Sequence, residues 1–142
     1  MTASWTHPLR NIPYAGDALR VLAESQGLAV CEMSVPAGFP GPPPHIHHDF
    51  DEGIYVVDGV LQVLEGTSVV DAPAGTLVLA ARGTRHTFSN PGNEHVRVLG
   101  LWGPGSALAF IEEIGAVLPA SGPPDPARLA EVYRRHNSEV VP

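Results

Sequence analysis

Gly38-Phe39-Pro40-Gly41-Pro42-Pro43-Pro44-His45-Ile46-His47-His48-Asp49-Phe50-Asp51-Glu52-Gly53 is the stretch on which the fold of this 142-residue chain turns. His45 and His47 are one residue apart, so in extended backbone both imidazoles project from one face and Ile46 from the other. The proline-rich approach, Pro36 to Pro44, cannot form a central strand, because proline has no N–H to give to a ladder; it reads as a loop leading into the histidines. Glu52 lies an odd number of residues beyond His47. A straight strand would turn it away, so His48-Asp49-Phe50-Asp51 must bend or break the strand. Far along the chain, His86 follows the glycines Gly75 and Gly83. A proline-flanked histidine pair by itself reads as a solvated loop; the one-residue separation that puts both rings on one face is what favours a metal site. Imidazole and carboxylate together suit one divalent transition metal, and ligand type alone does not choose among Fe, Mn, Ni, Cu and Zn.

Outward from this stretch, short β-type runs separated by turn residues fill most of the first hundred positions. They are Arg20 to Glu24, Leu28 to Val35, Gly53 to Val57, Val60 to Leu64, Ser68 to Asp71, Leu77 to Ala80, Arg85 to Ser89 and His95 to Leu101. The pattern predicts an all-β fold. Asp58-Gly59 between Val57 and Val60 predicts a two-residue hairpin, and Glu65-Gly66-Thr67 and Asn90-Pro91-Gly92-Asn93 predict further reversals. After Gly103 the period changes. Leu108, Ile111, Ile114 and Leu118 recur at helical spacing from Ser106 to Val117, with Glu112 and Glu113 on the other side. A second helix begins at Asp125-Pro126, an N-cap followed by proline at the first helical position, and carries Leu129, Val132 and Tyr133 to near His136-Asn137. Both helices read as packing elements. We assign 1–103 to a β-barrel with N-terminal strands and 104–142 to a helical extension packed on the same domain.

One domain is all this length allows. Fifteen glycines and fifteen prolines favour many turns. The net charge of −7 argues against nucleic-acid binding, which needs clustered cations to neutralise phosphates. All eight basic residues are arginines, which excludes Schiff-base lysine chemistry. Cys31 is the single cysteine, so no intrachain disulfide or cysteine-ligated cluster can form; it reads as a small buried residue. Met1 to Pro8 lacks the charged and apolar regions of a secretory leader, and no apolar run is long enough to span a membrane. These readings predict a cytoplasmic protein with no membrane partner and no DNA-binding output domain.

These residues resemble the cupins, specifically small single-domain proteins of the quercetin-dioxygenase-like type. The first cupin motif is carried by Gly38, His45, His47, Glu52 and Gly59, and the second by Gly75, Ala81, Gly83, His86 and Asn90, with Ala81 where the family usually has proline. The resemblance implies a jelly-roll barrel with two short C-terminal α-helices, closed around an apolar metal-containing pocket. It implies His45, His47, Glu52 and His86 as ligands and a homodimer that exchanges N-terminal strands. His48 has no ligand counterpart and is expected at the rim, as an alternative to Glu52 for accepting a substrate proton. By strand parity, Phe88 shares the side of His86, and Ile54 and Val56 share the side of Glu52. Phe39, Tyr55, Leu101 and Trp102 are further candidates for the pocket or its mouth. Asp51 could orient an imidazole, and Arg82 could reach a substrate acid. The remaining histidines, His7, His95 and His136, show no constellation.

Three imidazoles and one carboxylate leave open positions on a six-coordinate metal. The leading expectation is therefore a metal-dependent dioxygenase of an aromatic or enolic, flavonol-like or polyketide-like small molecule. A cyclase or isomerase that uses the same residues without oxygen is the alternative, and a non-enzymatic small-molecule-binding protein is the third.

Overall fold

The structure, a computed structural model, describes residues 10–142; His7 and the chain start lie outside the described residues. The chain begins with a hairpin, β1 (Arg10–Tyr14) and β2 (Asp17–Glu24), whose turn residues Ala15 and Gly16 both adopt positive φ. Then follow β3 (Ala29–Val35), β4 (His45–His47), β5 (Asp51–Asp58), β6 (Val60–Glu65), β7 (Ser68–Pro73), β8 (Leu77–Ala80), β9 (His86–Ser89) and β10 (Val96–Gly103). A single 3-10 turn, Gly105–Ala107, leads into α1 (Leu108–Val117), α2 (Pro126–Arg135) and a last strand, β11 (Ser138–Val140). The strands form two antiparallel sheets, β1-β2-β3-β10-β5-β8 and β11-β4-β9-β6-β7. The fold is an all-β jelly roll with two short C-terminal helices. Among the described residues, no helix is long and apolar enough to cross a membrane.

The core lies between the sheets and under α1. Alternation puts Ala29, Cys31, Met33 and Val35 of β3 inward, beside Val96, Val98 and Trp102 of β10. Cys31 is fully buried, and burial raises its thiol to about 11, which keeps it protonated and inert. The helices shield one end of the barrel. Asp125 caps α2 by accepting from the Ala127 and Arg128 amides, with Pro126 at the first position. Leu108, Phe110, Ile111 and Ile114 of α1 and Leu129, Val132 and Tyr133 of α2 are buried. Gly115 lets α1 close on β1, because a Cβ there would stand 2.0 Å from the Pro13 carbonyl oxygen.

Three expectations about the chain's path need correction. Asp58-Gly59 is not a hairpin turn: β5 pairs with β10 and β8, while β6 pairs with β7 and β9, so the chain changes sheets there. Gly59 alone takes positive φ, at 92°, tucked against Val96 where a Cβ would meet its Cγ2 at 3.0 Å. A type I′ turn needs two positive φ angles, and the turn that has them is Ala15-Gly16. Glu65-Gly66-Thr67, by contrast, does join paired strands, with Glu65 opposite Ser68. Second, β1 had no strand signal recognised in the sequence, and it pairs with β2 within the chain. Third, the segment after the second helix, for which no element was expected, re-enters the sheet as β11.

Candidate metal centre

The histidine face forms as strand parity requires. On β4, His45 and His47 are 3% and 1% exposed, whereas Ile46 between them is partly buried. The ladder then sets His45 directly opposite His86 of β9. Strand β4 breaks at His48–Phe50, and the chain resumes as β5 in the other sheet, which turns Glu52 inward; the bend required by the odd spacing is real. It is pinned by the His48 amide on the Asn137 carbonyl, by the Gly83 amide on the His47 carbonyl and by the Asn137 amide side chain on Asp49. Gly83, at φ 86°, belongs to a turn in which the Thr84 amide donates to the Ala81 carbonyl and the Arg82 amide to Asp51. These bonds restrain the turn that proline would otherwise stiffen.

One nitrogen from each of His45, His47 and His86 lies within 4.8 Å of the other two, and all three rings are buried. The opposite nitrogens are occupied. His45 Nδ1 donates to the Pro43 carbonyl at 2.9 Å and His86 Nδ1 to the Thr84 carbonyl at 2.9 Å, since a carbonyl can only accept. His47 Nδ1 lies 2.7 Å from Ser138 Oγ, whose own proton goes to the His136 carbonyl, so here too the imidazole donates. In the neutral rings each Nε2 therefore carries a lone pair. His47 Nε2 and His86 Nε2 are buried with no hydrogen-bond partner among the described residues. Glu52 Oε2 stands 3.5 Å from His47 Nε2 and 3.9 Å from His86 Nε2, and accepts from Trp102 Nε1 at 3.1 Å. Three lone pairs and a carboxylate converging in a dry interior repel one another unless a cation lies among them. The residues fit a divalent metal.

The electrostatics agree. Burial, reinforced by the other two histidines, lowers His45 to about 3, and burial also lowers His47. Burial opposes ionisation of Glu52, yet the adjacent His47 and His86 rings win and hold it well below the usual carboxylate range. For His86 burial acts downward, but the Glu52 carboxylate prevails and raises it. Neutral His45 and His47 beside an ionised Glu52 are in the states in which these groups bind metals, and a metal would displace the proton that Glu52 favours on His86.

The site opens on a cavity of about 50 Å³, with an apolar lining that includes Met33, Ile54, Phe88, Ile111 and Ile114 beside His45, Glu52 and Trp102. Gly100 lines it too; a Cβ there would stand 2.4 Å from the Trp102 ring, so the glycine makes room for the indole that bonds Glu52.

Of the expected site residues, His45, His47, His86 and Glu52 meet, and Ile54, Phe88 and Trp102 line the cavity. Others lie elsewhere. His48 is exposed and pairs with Glu139 on the outer side, because it follows His47 with the opposite parity. Val56 is buried in the core and does not reach the cavity. Phe39 packs on Phe88 and faces the proline-lined groove outside. Tyr55 is exposed on the outer sheet face with Leu101 nearby. Asp51 accepts from the Arg82 backbone and guanidinium, and neither residue lines the cavity. Asn90 ties loops together through the Val35, Pro36 and Glu94 carbonyls.

The C-terminal helices, read as packing elements, turn out to wall the cavity with Phe110, Ile111, Ile114 and Tyr133. Ser138 was missed altogether. Its only signal is the short Ser138-Glu139-Val140 run, too brief to read as a strand.

A two-sheet barrel with three buried histidines that could hold a metal ion is a jelly roll with a candidate metal centre. Residues 31–102 match the cupin domain family model, and the chain belongs to the cupin family. No curated protein matches the chain. Among solved structures, it resembles KdgF from Halomonas sp. at 20% identity and TM-score 0.63, over 72% of this chain and 94% of that one. PAC13 from Streptomyces, solved with uridine, gives 19% identity and TM-score 0.57, over 73% and 84%. A conserved double-stranded β-helix protein from Klebsiella pneumoniae gives 21% and 0.56, over 72% and 86%. At these identities the likeness concerns the fold alone.

Proposed function

We propose that this chain is a metal-dependent enzyme acting on a compact enolic or aromatic small molecule, with dioxygenation as its reaction. The observation that supports this reading is the convergence of one nitrogen from each of three buried histidines beside Glu52, at an apolar cavity. His45, His47 and His86 would hold the metal, with Glu52 as fourth ligand. When bound, the metal would supply Lewis acidity and, if redox-active, electrons for oxygen chemistry. The protein's residues do the rest. The Nδ1 bonds to Pro43, Thr84 and Ser138 fix each ring's tautomer and aim. Trp102 holds Glu52 in place, and the α1 side chains exclude water. With His48 turned outward, Glu52 is the carboxylate left to accept a substrate proton, and its depressed pKa makes it a weak base.

That weakness favours a second reading, a cyclase or isomerase in which polarisation of a carbonyl replaces strong basicity. The cavity volume argues for compact substrates over a flavonol. The test is elemental analysis of protein purified without added metal, then turnover of small enolisable compounds, with quercetin as the size control, under air and under nitrogen. Metal at one equivalent per chain with oxygen uptake is expected. Equal turnover under nitrogen would select the second reading, and metal without any turnover would leave a binding protein.

We also propose a homodimer. The outer face of the first sheet leaves Leu77 and Leu79 58% exposed and Tyr55 38% exposed, in adjacent registers on β8 and β5. Light scattering of a Leu79→Glu variant should report a monomer where the parent protein is a dimer.

A further inference from the structure

Two buried phenols in the cavity wall carry hydroxyls that the metal-binding set does not use. Tyr14, at the end of β1, and Tyr133, on α2, line the same cavity as His45 and Glu52, and they are only 7% and 1% exposed. Buried phenols normally find a partner for the hydroxyl. Within this wall, the side-chain hydrogen bonds are His45 to the Pro43 carbonyl and Trp102 to Glu52, and neither phenol joins in one among the described residues. The Tyr133 ring is held 5.0 Å from His45 and 5.1 Å from Phe110, centroid to centroid, so it is not free to swing outward. Tyr14, Tyr133 and Glu52 all line this one space.

The rest of the wall is largely apolar, with Leu19, Ile111 and Ile114 offering no acceptor, and the one carboxylate in it, Glu52, already accepts from Trp102. Two protonated phenols therefore face a space that calls for an oxygen atom. A divalent cation offset by one carboxylate leaves one positive charge, which a monoanion neutralises. We propose that Tyr14 and Tyr133 are the ligand-anchoring residues of this site, two donors that hold one oxygen of a compact monoanionic carboxylate or enolate whose other oxygen faces the histidines. The assignment rests on the metal-centre reading and adds to it a ligand class and the two residues that select it. The donors come from opposite ends of the chain and are brought together because α1 packs on β1 and α2 packs on α1.

The test uses the full chain loaded with cobalt(II) and titrated with acetohydroxamate, a compact monoanion with two adjacent oxygens, while visible absorption reports binding. Tyr14→Phe and Tyr133→Phe keep the ring and remove only the hydroxyl. Each should weaken acetohydroxamate about tenfold or more, as expected for a lost hydrogen bond to a charged group, with cobalt stoichiometry and Tm unchanged. Neutral acetamide should produce no shift. Phenylalanine variants that bind as tightly as the parent, or a cobalt-loaded parent that ignores acetohydroxamate, would overturn the anchoring role while leaving the metal centre intact. Failure of the parent to take up cobalt would instead remove the metal centre, and this inference with it.

Discussion

The barrel strands and the C-terminal segment contribute to the same site in different ways. From β4, β5 and β9 come the donors, His45, His47, Glu52 and His86, residue types that announce their chemistry. From residues 108–140 come Phe110, Ile111, Ile114, Tyr133 and Ser138, all ordinary in composition, which close the cavity and aim one imidazole. The difference teaches that a site's donor set and its enclosure are separable. The first depends on strand parity within a ladder; the second depends on which element returns to cover it.

The comparison is broken most directly by His47→Ala. It should reduce metal affinity by more than about a hundredfold, beyond what loss of a supporting partner costs, and elemental analysis of the purified variant measures it. If metal content is unchanged, the strands do not hold the donors.

Acidification of the metal-free protein comes next. The folded pKa values of His45 and His47 are depressed below the unfolded value near 6.5, so their contribution is present above that pH and lost as pH falls, for His45 down to about 3. Glu52, also depressed, acts in the same direction below its ordinary range. His86 is raised and opposes them, contributing below 6.5 and losing that contribution as pH rises through its folded value. Denaturant midpoints should therefore fall between pH 6.5 and 3, and bound metal, which keeps protons off all three imidazoles, should steepen that slope. A flat apo profile would contradict the burial assigned to these groups.

Phe110→Ala sharpens the other half. It removes a buried ring that packs on His47, Phe50 and Tyr133 and walls the cavity, and should cost about 3–5 kcal/mol in urea unfolding. The smallest effect belongs to Ser138→Ala. Loss of the hydroxyl that fixes the His47 tautomer should lower metal affinity about tenfold with little change in fold. Metal binding indifferent to this change would return the C-terminal strand to a packing role.

The ligand set was legible because a period of two and a motif spacing survive in one dimension: His45 and His47 share a face whatever the rest of the chain does. The same parity correctly placed Ile54 and Phe88. It overreached at Val56, because depth along a strand, not only its face, decides who reaches a cavity. The Asp58-Gly59 error has a related origin. A glycine that allows a tight turn also allows a change of sheet, and the choice is made by the partners waiting on either side.

Sequence by itself determined the all-β class, the helical tail with its Asp125-Pro126 start, and the donor residues, since each is a matter of local period or residue chemistry. Only the tertiary structure decided that Ser138 orients His47, that Tyr14 and Tyr133 share one wall, and that His48 faces away. Those relations join positions as much as 119 residues apart, Tyr14 to Tyr133. No local pattern encodes such a meeting, because it is set by how the whole chain buries its apolar faces.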